Sequence, residues 1–119
     1  MILELEAERG RIKLKMTALR LGQDLSVTLS GGDRPHIGAV ALAHPNEATS
    51  ALTLPQHRES ELAQEIASQL ATRLNATVCV ACGIHLDDIL EIEIRDVLDM
   101  AQALTQKLGD QLMGLGQVK

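Results

Sequence analysis

Hydrophobic and polar residues alternate through the first half of the chain. In "ILELEA", Ile2, Leu3 and Leu5 stand against Glu4 and Glu6, a two-residue period that predicts a strand. "RIKLKMTALRL" places Ile12, Leu14 and Met16 on one face and Arg11, Lys13 and Lys15 on the other, the pattern of a half-solvated antiparallel strand. "DLSVTLS" repeats it with Leu25, Val27 and Leu29 inward, and the short "LGQD" between the two predicts a hairpin turn. "HIGAVALA" and "SALTL" predict two further short strands, the second ended by Pro55.

The period then changes. In "RESELAQEIASQLATRLN", Leu62, Ala63, Ile66, Ala67, Leu70, Ala71 and Leu74 recur at helical spacing, and Asn75 suits the helix exit. Ala76 to Ile84 reads as a buried strand, apolar on both faces. From roughly Glu91, the residues Ile94, Val97, Leu98, Ala101, Leu104 and Leu108 mark a long C-terminal helix, with "MGLGQVK" expected to fray. The order β-β-β-β-β-α-β-α predicts an α+β fold: a mostly antiparallel sheet of about six strands with two helices on one face. No repeat or linker divides the chain, so residues 1–119 are expected to form one domain.

Composition narrows the function. Phe, Trp and Tyr are all absent from the 119 residues. The core must therefore be aliphatic, and such a core has no rings to stack on a base or a flavin. A net charge of −5 and a pI of about 5.3 argue against a dedicated nucleic-acid binder. "ILELEAERGR" after Met1 lacks the basic-then-apolar order of a signal peptide, and no apolar run approaches the roughly 20 residues of a membrane span. The expectation is a cytoplasmic protein without membrane contact. Short strands and an aliphatic helix also suit a homodimer.

Cys79 and Cys82 have C-x-x-C spacing, which invites a zinc or redox reading. The surrounding "TVCVACGI" is strand-like, however, and positions three apart on a strand point to opposite faces. Both cysteines are therefore expected to be structural and reduced.

Three polar junctions interrupt the aliphatic pattern: Gly31 to Gly38, "PQHRE" at 55–59 and "GIHLDD" at 83–88, each with one histidine. In the first, Gly31 and Gly32 allow close backbone approach, while Pro35 biases Arg34 to an extended form. Arg34, with His36 beside it, is a candidate for reading a phosphate or carboxylate together with backbone N–H groups. In the second, His57 and Arg58 are expected in the first turn of the helix. A cation there opposes the helix dipole unless an anion joins it, and a phosphate fits that role. The bland reading is Arg58 folded onto Glu59 or Glu61. In the third, His85 ends a strand beside Asp87, and Asp88 is placed to cap a turn into the last helix. His44, in "AHPNEA", reads as solvated. Three histidines and Asp87 also compose a legitimate metal set, but no close His pair such as H-x-x-x-H is present. Nothing resembles a nucleophile elbow.

The blocks "GGDRPHIGAVALA", "LPQHRE" and "VACGIHLDD", in this order and spanning roughly residues 20–110, resemble the small D subunit of UbiD-type hydroxyarylic acid decarboxylases, such as gallate decarboxylase. The resemblance implies an accessory chaperone, without turnover of its own, that binds prenylated flavin mononucleotide. Such a chaperone assists maturation of the flavin or its delivery to a large decarboxylase subunit. It also implies a fold similar to small proteasome-assembly chaperones, usually dimeric, and assigns Arg34, His36, His57, Arg58 and His85 to the cofactor. Gln56 departs from the family's Pro-Gly-His block. The alternatives are a ligand-free assembly chaperone and a small metal-binding enzyme using His36, His57, His85 and Asp87.

Overall fold

The computed structural model describes residues 1–54 and 59–117. Five strands come first: β1 (Ile2–Arg9), β2 (Ile12–Leu21), β3 (Asp24–Gly32), β4 (Ala39–Ala43) and β5 (Ser50–Thr53). Then follow α1 (Ser60–Leu74), β6 (Val78–His85) and α2 (Glu91–Gln117), which is the element order that the patterning predicts.

The strands form one sheet in the order β1-β2-β3-β6-β4-β5. Two-residue turns at Gly10–Arg11 and Gly22–Gln23 join β1 to β2 and β2 to β3 as antiparallel hairpins. The chain then leaves a gap beside β3, builds the β4–β5 hairpin, crosses over through α1 and returns as β6 into the gap. β6 runs parallel to β3 and antiparallel to β4. A parallel return needs a long connection, and the helix supplies it. One parallel pairing thus interrupts an otherwise antiparallel sheet.

One face of the sheet is covered. Leu14 and Met16 of β2, Val27 and Leu29 of β3 and Val78, Val80 and Cys82 of β6 meet Ala63, Ile66, Ala67 and Leu70 of α1 and Met100, Ala101, Leu104 and Leu108 of α2. α1 lies over β4, β5 and β6, and α2 lies over β1, β2 and α1. The small residues Ala39, Ala41 and Ala43 let α1 approach β4 closely. Arg73 of α1 bonds Asp110 and the Gln106 carbonyl of α2, over Gly109. α1 ends where Asn75 takes the left-handed conformation, as its sequence suggests. No helix among the described residues is long and apolar enough to cross a membrane.

Four local expectations are corrected. β4 begins at Ala39, because Gly38 and the residues before it bend over β6. Strand β6 is not buried evenly on both faces: Val78, Val80 and Cys82 are buried under the helices, whereas on the other face Gly83 is buried beneath the loop and Cys79 and Ala81 are half-buried. Ile94 and Leu98 share the helical spacing of the core stripe but remain exposed, while Met100 and Leu112 are buried. The C-terminal segment stays helical to Gln117.

Candidate functional site

The parallel pairing of β3 and β6 ends at Gly32 opposite His85. Both strands therefore release their chains at the same edge of the sheet, the kind of crevice where open sheets with parallel strands collect ligands. The loop after β3 carries Arg34 and His36, and the loop after β6 carries Asp87 and Asp88. Two of the three junctions, more than 50 residues apart along the chain, become neighbours through this one topological step.

The loops are pinned by backbone bonds. Asp33 N–H donates to the His85 carbonyl (2.6 Å), Gly38 N–H to the Cys82 carbonyl (2.9 Å) and Leu54 N–H to the Gly38 carbonyl (2.8 Å). At Gly83, a Cβ would lie 1.8 Å from the His36 carbonyl oxygen, so the loop crosses β6 only because that position has no side chain. Gly32, with φ at +77°, has its would-be Cβ 2.1 Å from the His85 carbonyl oxygen.

Arg34 and His85 meet directly: a guanidinium nitrogen, Nη2, lies 2.9 Å from His85 Nε2. The same His85 nitrogen is 2.9 Å from Asp87 Oδ1, and Arg34 Nη2 is 3.7 Å from that oxygen. His36 faces away from this trio. Its Nδ1 lies 3.0 Å from the Arg34 carbonyl oxygen and its Nε2 3.3 Å from Glu59 Oε1. Glu59, the residue before α1, sends its carboxylate inward, where Oε1 also accepts from Ile84 N–H at 3.4 Å. The second junction is thus tied to the other two through Glu59. His57 and Arg58 lie outside the described residues, and with them the expected first-turn placement and the Arg58 ion pair.

Behind Arg34 stands a scaffold of charge. Arg11, in the first hairpin turn, donates to both carboxylate oxygens of Glu93 (2.7 and 2.9 Å) and to the Asp87 carbonyl (2.7 Å), and lies 3.6 Å from Asp33. Asp33 in turn accepts from Asp87 N–H at 2.8 Å. Glu93 also accepts from Leu90 N–H (3.0 Å), satisfying a free donor at the start of α2 in place of the expected Asp88. The sequence reading placed Arg11 on the polar face of a strand and offered Glu59 as a partner for Arg58, but assigned neither to this site and did not single out Glu93. The signal for Glu93 was its place three residues after Leu90, where a carboxylate reaches back to a helix start.

The electrostatics follow this wiring. Hydrogen bonds from Arg11, and then from Leu90 N–H, pull the Glu93 carboxyl down to about 2. The hydrogen bond with His85 holds Asp87 below the ordinary carboxylate range, helped by Arg34 and Arg11. Burial, reinforced by Glu59, pushes the Cys82 thiol up to about 12. A thiol so held is neither a nucleophile nor a metal ligand at neutral pH. Both cysteines are free, Cys79 on the uncovered face and Cys82 in the core. His44 is exposed, with Nδ1 2.7 Å from Thr77 Oγ1. Among the described residues, no three His, Cys, Asp or Glu side chains converge to hold a metal ion.

A groove of about 460 Å³ opens beside the loops on the uncovered face. Gly31, Gly32, Ser30 and Pro35 line it on one side, and Lys13, Lys15, Glu6 and Glu8 on the other. Its volume falls within the range of small-molecule sites. By strand parity His85 points to this same face, as do Ser30 and Gly32.

Comparison with known proteins places the chain among chaperones. Residues 8–113 match the family described as Prenylated flavin chaperone LpdD-like domain. Protein LpdD of Lactiplantibacillus plantarum is 23% identical over 93 residues, covering 74% of this chain and 68% of LpdD. A chain of a novel chaperone complex for yeast 20S proteasome assembly superposes with a TM-score of 0.62 at 12% identity, over 93% of this chain and 98% of that one. That last likeness is one of fold.

Proposed function

Because this chain belongs to the prenylated flavin chaperone LpdD-like family, we propose that it is a non-catalytic accessory chaperone that binds prenylated flavin mononucleotide. In this reading it assists maturation of the flavin or its delivery to the large subunit of a decarboxylase, and it works in the cytoplasm as a homodimer.

The observation that carries the reading is the meeting of the Arg34 loop with the His85 strand end beside the groove. Their chemistry fits the cofactor. Arg34 is largely exposed and offers N–H donors in the fork geometry that suits a phosphate. The glycines at 31 and 32 leave backbone where side chains would otherwise stand, which a flat ring system requires. In this assignment Arg34 and Arg58 hold the phosphate, and His36, His57 and His85 hydrogen-bond the ring edge. The bound flavin supplies the redox and electrophilic chemistry. The chain's own residues bind it, orient it and limit its contact with water.

Titration of prenylated flavin mononucleotide, followed by its absorption, tests the proposal. The chain has no Trp or Tyr, so near-ultraviolet and visible bands report the ligand alone. Arg34→Ala is expected to weaken binding at least tenfold, about 1.4 kcal/mol for a charge-assisted contact. Equal affinity of native and variant protein would remove Arg34 from the site. No flavin binding at all, with stable capture of a large subunit, would leave a ligand-free assembly chaperone.

A further inference from the structure

We infer that His85 is a proton-operated latch on Arg34: the neutral ring holds the guanidinium, and the protonated ring releases it to a doubly charged oxyanion such as a phosphate monoester. The inference rests on the reading of Arg34 as the phosphate contact and adds a control to it.

The geometry gives one ring nitrogen two partners of opposite kind, and the protonation of the ring decides which of them it serves. His85 Nε2 lies 2.9 Å from Arg34 Nη2 and 2.9 Å from Asp87 Oδ1. A guanidinium nitrogen only donates and an ionised carboxylate only accepts. A single ring nitrogen cannot accept from one and donate to the other at the same time. The neutral ring with its proton on Nδ1 accepts from Arg34. The imidazolium has no lone pair, so Nε2–H is committed to Asp87 and turns a cation toward the guanidinium. What then remains to Arg34 is its 3.7 Å approach to Asp87, and the two side chains are 71% and 64% exposed. An exposed pair of this kind is weak, so a dianion in bulk competes with it readily.

The neighbouring charges leave His85 as the group that moves. Asp33 is engaged by Asp87 N–H and lies beside Arg11. Arg11 is held by Glu93 of α2 and by the Asp87 carbonyl. Asp88 follows Asp87 in the same loop. On the other side, His36 and Glu59 face each other, and His36 meets the Arg34 carbonyl oxygen through Nδ1. The backbone on which Arg34 and His85 sit is fixed by the Asp33-to-His85 bond, so the exchange needs only side-chain motion.

Sulfate is the probe, because it stays a dianion across the histidine range and adds no titration of its own. Binding is read by NMR at the Arg34 guanidinium at a series of pH values from about 8 down to about 5.5. Native protein is expected to bind sulfate at least about fivefold more tightly at the acid end, and His44→Gln, at an exposed histidine bonded to Thr77, is expected to keep that gain. His85→Gln is expected to lose it, since an amide accepts from Arg34 and donates to Asp87 at every pH. Nitrogen shifts of the His85 ring should show the Nδ1–H tautomer at the alkaline end. An Nε2–H tautomer there, an undiminished acid gain in His85→Gln, or no sulfate response at Arg34 would each overturn the latch. Circular dichroism of His85→Gln establishes that it is folded. The flavin reading fails separately. If the sulfate gain depends on His85 while Arg34→Ala leaves flavin affinity unchanged, the latch stands and the flavin assignment falls.

Discussion

Substituting Gly83 by alanine should damage the site more than any other single methyl group added to β6. Alanine is favoured over glycine within a strand by about 0.5–1 kcal/mol, so without a neighbour the change would stabilise. Here the new Cβ would sit 1.8 Å from the His36 carbonyl oxygen. Van der Waals contact needs roughly 3.5 Å, so the backbone at His36 must withdraw by on the order of 1.5 Å. A carbonyl fixed in the main chain cannot swing aside as a long side chain can. Withdrawal strains the Gly38-to-Cys82 bond, worth about 1 kcal/mol, and overpacking adds about 1–3 kcal/mol. The net expectation is a loss of about 1–3 kcal/mol in urea denaturation followed by far-ultraviolet circular dichroism. The loss of order should centre on residues 34–38, and phosphate-bearing ligands should bind more weakly. A Gly83→Ala protein as stable as the native one, with unchanged Arg34 and His36 resonances, would refute the close crossing of the loop over β6.

Other consequences are equally direct. Leu108→Ala should cost about 2–5 kcal/mol because the side chain is fully buried, whereas Leu98→Ala should change stability by less than about 0.5 kcal/mol; similar losses at both would mean that α2 is rotated from the orientation described. Glu93 has a folded-state value of about 2 against an ordinary 4.5, so its stabilisation is present above about pH 4.5 and is lost as pH falls toward about 2. Glu93→Gln should therefore be less stable than native protein at neutral pH and should lose less on acidification over that range; parallel stability curves for the two proteins would contradict the Arg11–Glu93 assignment. A thiol reagent near neutral pH should modify one cysteine in the native protein, Cys79, and both after unfolding, since Cys82 is buried and pushed up to about 12. Rapid native modification of two thiols would contradict this.

What the sequence discloses depends on how loudly each residue type speaks. Lys13 and Lys15 against Leu14 and Met16 announce both a strand and its inward face. Cys79 and Ala81 are small and apolar enough to suit either environment, so the uncovered face of β6 was not legible. Ile94 and Leu98 obey helical spacing as well as Val97 and Ala101 do. The face that α2 turns toward β1, β2 and α1 decides which pair is buried. The three polar junctions were visible as breaks in pattern. The contact between Arg34 and His85, 51 residues apart, was not. It follows from β6 inserting between β3 and β4, a pairing to which each strand's own alternation is indifferent. The inward role of Glu59 was not legible for a different reason: a carboxylate before a helix suits the dipole without further explanation, yet it meets Ile84 N–H and His36.

A double-mutant cycle on flavin affinity is the most direct test that the ends of β3 and β6 form one cofactor site. Prenylated flavin mononucleotide would be titrated into native protein, Arg34→Ala, His85→Ala and the double variant. The predicted result is a coupling of at least about 1 kcal/mol between the two substitutions, as expected for groups in contact that share a ligand. Full additivity, or affinities unchanged by either substitution, would contradict the account.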